Sequence, residues 1–296
     1  KERLKSFSQI AGVCTKAVYA RSKEKGYQLV QGSDIKVYDN YHQMLEVVDA
    51  VAICLPNDLH MQFAKDALLS QRHVLVEYPL VINMEDAIRL NNISLEYSRV
   101  LMTGNTIIHE SPFKYVKQHQ HKLGKIISAS SRVSFYSEAI WGSWFFDHRR
   151  LGPVFAGLHY HHIEYYRHLF GQPSWVLGCD ESVIDAASGR YGNFAGGTLV
   201  MGYSSRTTSC IQWYLSALGN GLSRGMWLNG TTGSLTLLSL GNGTTEARWN
   251  EGSMNFKSET IQEDWGVNGS SEDFIMAIKG ELDYKTRHKS DMQTLT

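Results

Sequence analysis

His73-Val74-Leu75-Val76-Glu77-Tyr78-Pro79-Leu80 is a run of apolar, β-branched-rich residues that delivers a carboxylate, a phenol and a proline in succession. In an open parallel sheet, ligands bind just outside the carboxyl ends of the strands. Glu77 and Tyr78 therefore stand where a ligand is met, one as an acceptor and one as a weak acid. Pro79 fixes its own φ, pushes Tyr78 toward an extended conformation and allows a cis bond. The same eight residues also suit an ordinary strand end, so their neighbours decide the reading.

Working outward, residues 48–55 form a nearly all-apolar stretch, as parallel strands buried on both faces do. Pro56-Asn57 breaks it. Residues 58–70 follow as an amphipathic helix with Leu59, Phe63, Ala67 and Leu68 on one side. Downstream, a helix over 83–97 and a strand over 100–104 are expected. Upstream, the expectation is a helix tail at 1–5, a buried strand over 6–14 and a helix over 17–25 that stops at Gly26. A strand over 35–38 and a helix over 41–47 come next. Strands alternating with helices predict right-handed βαβ crossovers and an α/β, Rossmann-like doubly wound parallel sheet.

After about residue 110 the texture changes. A helix over 112–123 leads to a strand over 125–135 and a helical stretch over 151–170. Residues 174–256 then run strand after strand, broken by Gly, Asn and Ser turns, and a closing helix begins over 272–279. This predicts two domains, 1–109 and 110–296, the second α+β with a large, mostly antiparallel open sheet.

A chain of 296 residues is long enough for two cores. Lys plus Arg equals Asp plus Glu at 29 each, so no global field favours nucleic acid or an anionic membrane. No apolar run approaches the roughly 20 residues of a membrane span, and no signal-peptide pattern is present. Cys14, Cys54, Cys179 and Cys210 are far apart and make neither a zinc pattern nor C-x-x-C. A reduced, cytoplasmic protein with buried thiols is the simplest account.

Four stretches, in order, carry a family resemblance. Leu55-Pro56-Asn57-Asp58-Leu59-His60 resembles a Thr-Pro-Asn-x-x-His loop, and Glu77-Tyr78-Pro79-Leu80 a Glu-Lys-Pro-Leu. Asn105 followed by Pro112 resembles an Asn-x-x-Phe-x-Pro entry into a second domain. Residues 152–171 resemble a helix bearing an Asp-x-x-x-His pair. Together they are similar to the glucose–fructose oxidoreductase / inositol dehydrogenase / biliverdin reductase group of NAD(P)-dependent oxidoreductases. Residues 229–235 and 272–278 fit the family's sheet and last helix. The resemblance implies an NAD(P)-binding first domain, with Leu55, Pro56, Asn57, His60, Glu77, Pro79 and Asn105 as cofactor-side residues. It also implies a homodimer or homotetramer formed through the outer face of the large sheet.

The departures are as informative. The family's G-x-G-x-x-G fingerprint, with its strand and most of its helix, is expected to precede residue 1, and the chain is expected to break off within a helix at Thr296. Tyr78 stands where the family has its catalytic lysine, a change shown by biliverdin reductases. Gly157 stands at the family's aspartate, while His161 matches its histidine. Sugar-alcohol oxidation through the Lys and Asp–His set is thus disfavoured.

A nicotinamide reductase needs a dry pocket and a proton source. Tyr78 is a candidate, a phenol being a good donor near neutrality; so is His161, as acid or as substrate-orienting group. A purely packing role for Tyr78 is the alternative. His159, His161, His162, Glu164 and His168 read as solvated or pocket-lining groups, with His162 a candidate substrate contact. Helical zinc sites need ligands on one face and a third from elsewhere, and no metal is expected. Thr15-Lys16, placed after the second strand, has no carboxylate to repel a 2′-phosphate and favours NADP slightly over NAD. Arg149-Arg150 suits a substrate carboxylate, or a plain surface loop. Trp141 and Trp144 suit an aromatic wall, or core packing.

The leading expectation is a biliverdin reductase-like enzyme that transfers hydride from NAD(P)H to an unsaturated small molecule, with no nucleic acid or membrane as partner. A sugar- or inositol-type dehydrogenase is the alternative within enzymes. A catalytically silent dinucleotide-binding sensor is the alternative from another class. What stays ionisable beside the ligand separates them.

Overall fold

A computed structural model of the chain describes residues 1–137, 143–157, 159–192, 194–216, 220–250 and 256–284. Trp141 lies outside them. The chain divides into two units, residues 1–105 with 267–296, and residues 106–266.

The first unit runs α1 (Glu2–Ser8), β1 (Ala17–Tyr19), α2 (Lys23–Leu29), β2 (Lys36–Tyr38), α3 (Tyr41–Leu45), β3 (Ala50–Ile53), α4 (Asn57–Leu69), β4 (His73–Val76), α5 (Met84–Glu96) and β5 (Leu101–Thr103). All strand pairs are parallel. β1 pairs with β2, and β3-β4-β5 form a separate sheet with β4 in the middle. Both faces of that sheet are covered, as its apolar sequence requires. Val51, Val74, Val76 and Leu101 pack on Ala64, Leu68, Ala87 and Leu90; Leu75 and Met102 belong to a second cluster. Helix starts follow local chemistry: Asn83, Asn40 and Ser22 accept from backbone N–H groups three residues on and so cap α5, α3 and α2.

One local expectation fails. Residues 6–14 form no strand. α1 continues to Ser8 and the chain turns through Gly12 at φ +78°. Arg3 and Ser6 are buried from one side of α1, and Phe7 meets Phe274 edge-on with centroids 6.2 Å apart. Helical periodicity thus outweighs the apolar tract. The strand is Ala17–Tyr19, and Ser22 then starts α2, so Gly26 lies inside that helix rather than ending it. The thiols also differ from expectation. Cys14, Cys54 and Cys179 are exposed, and only Cys210 is half-buried.

The second unit contains α6 (Ser111–His119), β6 (Ile126–Ser137), α7 (His148–Leu151), α8 (Val154–Gly157), α9 (Tyr160–Phe170), β7 (Trp175–Asp180), β8 (Ile184–Asp185), β9 (Arg190–Tyr191), β10 (Phe194–Gly202), β11 (Thr208–Ser216), β12 (Asn220–Gly230), β13 (Ser234–Ser239), β14 (Thr244–Asn250) and β15 (Lys257–Gln262). Eight strands form one sheet in the order β15-β14-β13-β12-β6-β11-β10-β7. Every neighbouring pair is antiparallel except β6 with β11. Tyr165 and Tyr166 of α9 and Phe113 and Val116 of α6 join the cluster formed by Ile211, Met226, Leu228, Leu235 and Leu237 of the sheet. That packing fixes the histidine-rich helix on one sheet face.

The closing helix, α10 (Val267–Lys279), belongs with the first unit, although its sequence position assigns it to the second half. Phe274 and Ala277 pack with Leu75, Val100 and Met102, covering the second face of the β3-β4-β5 sheet. An all-parallel sheet needs that cover.

Candidate functional site

In the first unit the motif residues converge at the carboxyl ends of β3, β4 and β5. Pro56-Asn57 opens α4 directly after β3, and Glu77-Tyr78-Pro79 follows β4 with a cis bond between Tyr78 and Pro79. Asn105, fully buried, follows β5. His60 ties two of these loops together. Its Nδ1 lies 2.9 Å from the Pro79 carbonyl oxygen and its Nε2 2.8 Å from that of Leu55. Burial pulls the His60 pKa down more than the two carbonyls raise it, and a neutral ring donates to one carbonyl at a time. His60 has no exposed surface and braces the loops that follow β3 and β4.

Glu77 keeps 28% of its side chain exposed, and its Oε1 accepts from Arg3 Nε at 2.8 Å. Arg3 is buried, and its Nη1 donates to the Val267 carbonyl and to the hydroxyls of Ser270 and Ser271. Nothing in the sequence near Glu77 signals Arg3, because the partners are 74 residues apart. The Thr103 hydroxyl at the end of β5 is buried without a hydrogen-bond partner among the described residues.

Thr15 and Lys16 precede β1 rather than follow the strand, so they do not stand at its carboxyl end. Ala20, Arg21 and Ser22 stand there instead. The misplaced strand hid them; the Ser22 cap is the signal that locates them.

In the second unit, α9 carries the histidines. His161 keeps some exposed surface, yet desolvation, with Arg224 adding to it, pulls its imidazole down to about 3. His162 is buried, with both ring nitrogens unpartnered among the described residues, and burial holds it well below the ordinary histidine value. Beside it lies a cavity of about 20 Å³ lined by Arg224, Met226, Leu237, Ser239 and Thr245, enough for one water. Arg224 forms an ion pair with Glu110, whose carboxyl burial pushes up against the guanidinium's pull. The other α9 groups are structural. His159 Nε2 meets the Gly197 carbonyl oxygen at 2.8 Å, and Glu164 pairs with Arg167 at 2.8 Å and His168 at 3.3 Å.

At Gly157, where the family has aspartate, a Cβ would lie 2.7 Å from Leu151 Cγ and 3.0 Å from its carbonyl oxygen. No side chain fits there unless α7 shifts.

Trp144, Arg149 and Arg150 lie on a different patch. The Trp144 and Phe145 rings stack at 4.2 Å, and Trp144 packs on the cluster of Phe146, Tyr191, Ala195 and Leu215, separate from the one that holds α9. Arg149 grips Asp147 through both carboxylate oxygens, at 3.2 and 3.3 Å, and holds that carboxyl below its usual range. The structure does not gather these residues with His161 and His162 in one cluster. No helix among the described residues is long and apolar enough to cross a membrane.

Residues 1–105 match the profile of an oxidoreductase family with an NAD-binding Rossmann fold. A dTDP-3,4-didehydro-2,6-dideoxy-alpha-D-glucose 3-reductase from Streptomyces violaceoruber is 34% identical over 103 residues, 34% of this chain and 30% of that one. The chain spans about half or less of the length of the curated relatives it matches. Among solved structures, biliverdin reductase from Synechocystis sp. PCC 6803, in complex with biliverdin and NADP+, superposes with a TM-score of 0.86 at 15% identity, over 99% of this chain and 91% of that one. A 3-ketoreductase from Actinomadura kijaniata, in complex with NADP and TDP-benzene, gives 0.86 at 16% identity, over 99% and 90%. At such identities the likeness is one of fold. The family match thus covers the first domain, residues 1–105, as an NAD-binding Rossmann fold, and the chain as a whole shares the fold of these reductase structures.

Proposed function

We propose that this protein is an NAD(P)H-dependent reductase that delivers hydride to an unsaturated small molecule of bilin type, with Tyr78 as proton donor. The observation that carries the reading is the Glu77-Tyr78-Pro79 turn at the carboxyl end of the middle strand, secured by Arg3 and His60. The residues present suit a nicotinamide dinucleotide. Arg21 and Ser22 after β1 suit a 2′-phosphate, which favours NADP. Pro56-Asn57, Glu77, Asn105 and the Thr103 hydroxyl, which has no hydrogen-bond partner among the described residues, suit the nicotinamide side. When bound, the reduced cofactor supplies the hydride.

The chain's own residues divide the remaining work. His161, with its pKa near 3, is neutral around pH 7 and offers a hydrogen bond rather than a labile proton. That leaves the phenol of Tyr78 to protonate the product. Gly157 removes the carboxylate that a sugar dehydrogenase sets beside its histidine. Cytoplasmic residence and a homo-oligomer formed through the outer face of the large sheet complete the proposal. On that face Val200, Cys210 and Trp227 fall in one cross-strand row with Leu177, and Leu177 and Trp227 are exposed.

A second reading is a reductase of a nucleotide-linked keto sugar. It is favoured by the 34% identity to the dTDP-sugar 3-reductase over 103 residues. The test is NADPH and NADH oxidation with biliverdin, then with keto sugars and, in the oxidised direction, inositols. Bilin turnover is the expected result. Turnover with keto sugars alone selects the second reading. Cofactor binding without turnover on any substrate selects a sensor.

A further inference from the structure

We infer that Arg3 is a positioning residue for the cofactor: it presets the Glu77 carboxylate at the end of β4 and locks it to the first turn of α10. The inference rests on the proposed role of Glu77 at the nicotinamide side. Arg3 is 5% exposed, and burying a guanidinium is unfavourable unless its donors are satisfied. Here Nε donates to Glu77 Oε1 at 2.8 Å and Nη1 to three acceptors of α10 at 2.9 to 3.2 Å, while Nη2 is buried without a hydrogen-bond partner among the described residues. One fork thus joins α1, the active-site strand and a helix more than 260 residues away in sequence.

A purely structural clamp needs no carboxylate at the ligand edge. This one uses a carboxylate whose second oxygen accepts no hydrogen bond among the described residues. The side chain is restrained at Oε1 and keeps Oε2 for a further donor. Gly104 makes the arrangement possible. A Cβ at that position would lie 2.9 Å from both Arg3 Nη2 and Glu77 Oε2, so the pair closes against bare backbone. A group held in place beforehand loses less freedom when the ligand arrives. The clamp therefore acts on cofactor affinity, ahead of the chemical step.

The test is equilibrium titration of NADPH, followed by its fluorescence, into the full-length protein and its variants, with circular dichroism to confirm folding. Arg3→Met is expected to weaken binding about tenfold and to leave kcat at saturating NADPH within twofold. Arg3→Lys keeps the charge but loses the fork, and is expected to recover part of the affinity. Ser270→Ala with Ser271→Ala keeps the ion pair, folds more safely and is expected to weaken binding about threefold. On a Glu77→Gln background, Arg3→Met is expected to add little, because the two act as one unit. NADPH affinity within twofold of wild type in both Arg3→Met and the serine pair overturns the inference, as does a full additive loss on the Glu77→Gln background. Failure of the wild-type protein to bind NADPH or NADH overturns the nicotinamide reading itself, and shows before any variant is made.

Discussion

The Arg3–Glu77 pair of the first unit and the Arg224–Glu110 pair of the second differ in what the carboxylate can still reach. In the first unit Arg3 is buried and Glu77 is 28% exposed, at a strand's carboxyl end. In the second, both Arg224 and Glu110 are largely enclosed, at 17% and 5% side-chain exposure, and the carboxylates of Glu263 and Asp264 add to the negative charge around Glu110. The same chemistry serves two ends. One pair leaves a carboxylate partly exposed at a strand end, whereas the other encloses both charges beside His162. Exposure of the carboxylate, more than the presence of the pair, singles out Glu77 as the one proposed to meet the cofactor.

The largest effect is expected of Arg224→Met, which leaves Glu110 buried without its cation. A loss of about 3–5 kcal/mol is expected in urea unfolding, with most of it recovered when Glu110→Gln is added. A loss as small as that of an exposed pair would erase the distinction. Next, His162 is neutral when folded and binds a proton near pH 6.5 when unfolded. Its contribution to stability is present above that pH and is lost as the pH falls below it, at up to about 1.4 kcal/mol per pH unit. Unfolding free energies measured between pH 7 and pH 5 should show this slope, reduced in His162→Leu. Arg21→Ala should cost about tenfold in NADPH affinity and little in NADH affinity, a ratio read by parallel titrations. The smallest effect expected is that of Asn83→Ala, which removes the α5 cap for about 1 kcal/mol and should shift Tm without changing cofactor affinity.

Local patterns made much of the first unit legible. The apolar runs of β3 and β4, the Pro56-Asn57 break and the Asn83 cap are all read within a few residues of chain. The mistake over residues 6–14 arose because α1 is seven residues long and is stabilised by Phe274, which no local pattern reveals. It also moved the end of the strand from Ala20, Arg21 and Ser22 back to Thr15 and Lys16. Arg3 and Glu77, like Glu110 and Arg224, are joined only by the tertiary fold, across 74 and 114 residues. His60 was visible as a motif residue, but only coordinates reveal that both ring nitrogens face carbonyls. Helical spacing shows which histidines share a face, but not that burial would leave His161 neutral.

The most direct test of the central claim is the rate of NADPH oxidation with biliverdin for the wild-type protein and for Tyr78→Phe, measured alongside NADPH affinity. Turnover is expected in the wild type, with a fall of kcat by about 100-fold or more in Tyr78→Phe and unchanged NADPH binding. A Tyr78→Phe protein that turns over bilin at the wild-type rate, or a wild-type protein that binds NADPH and reduces neither bilin nor keto sugar, would contradict it.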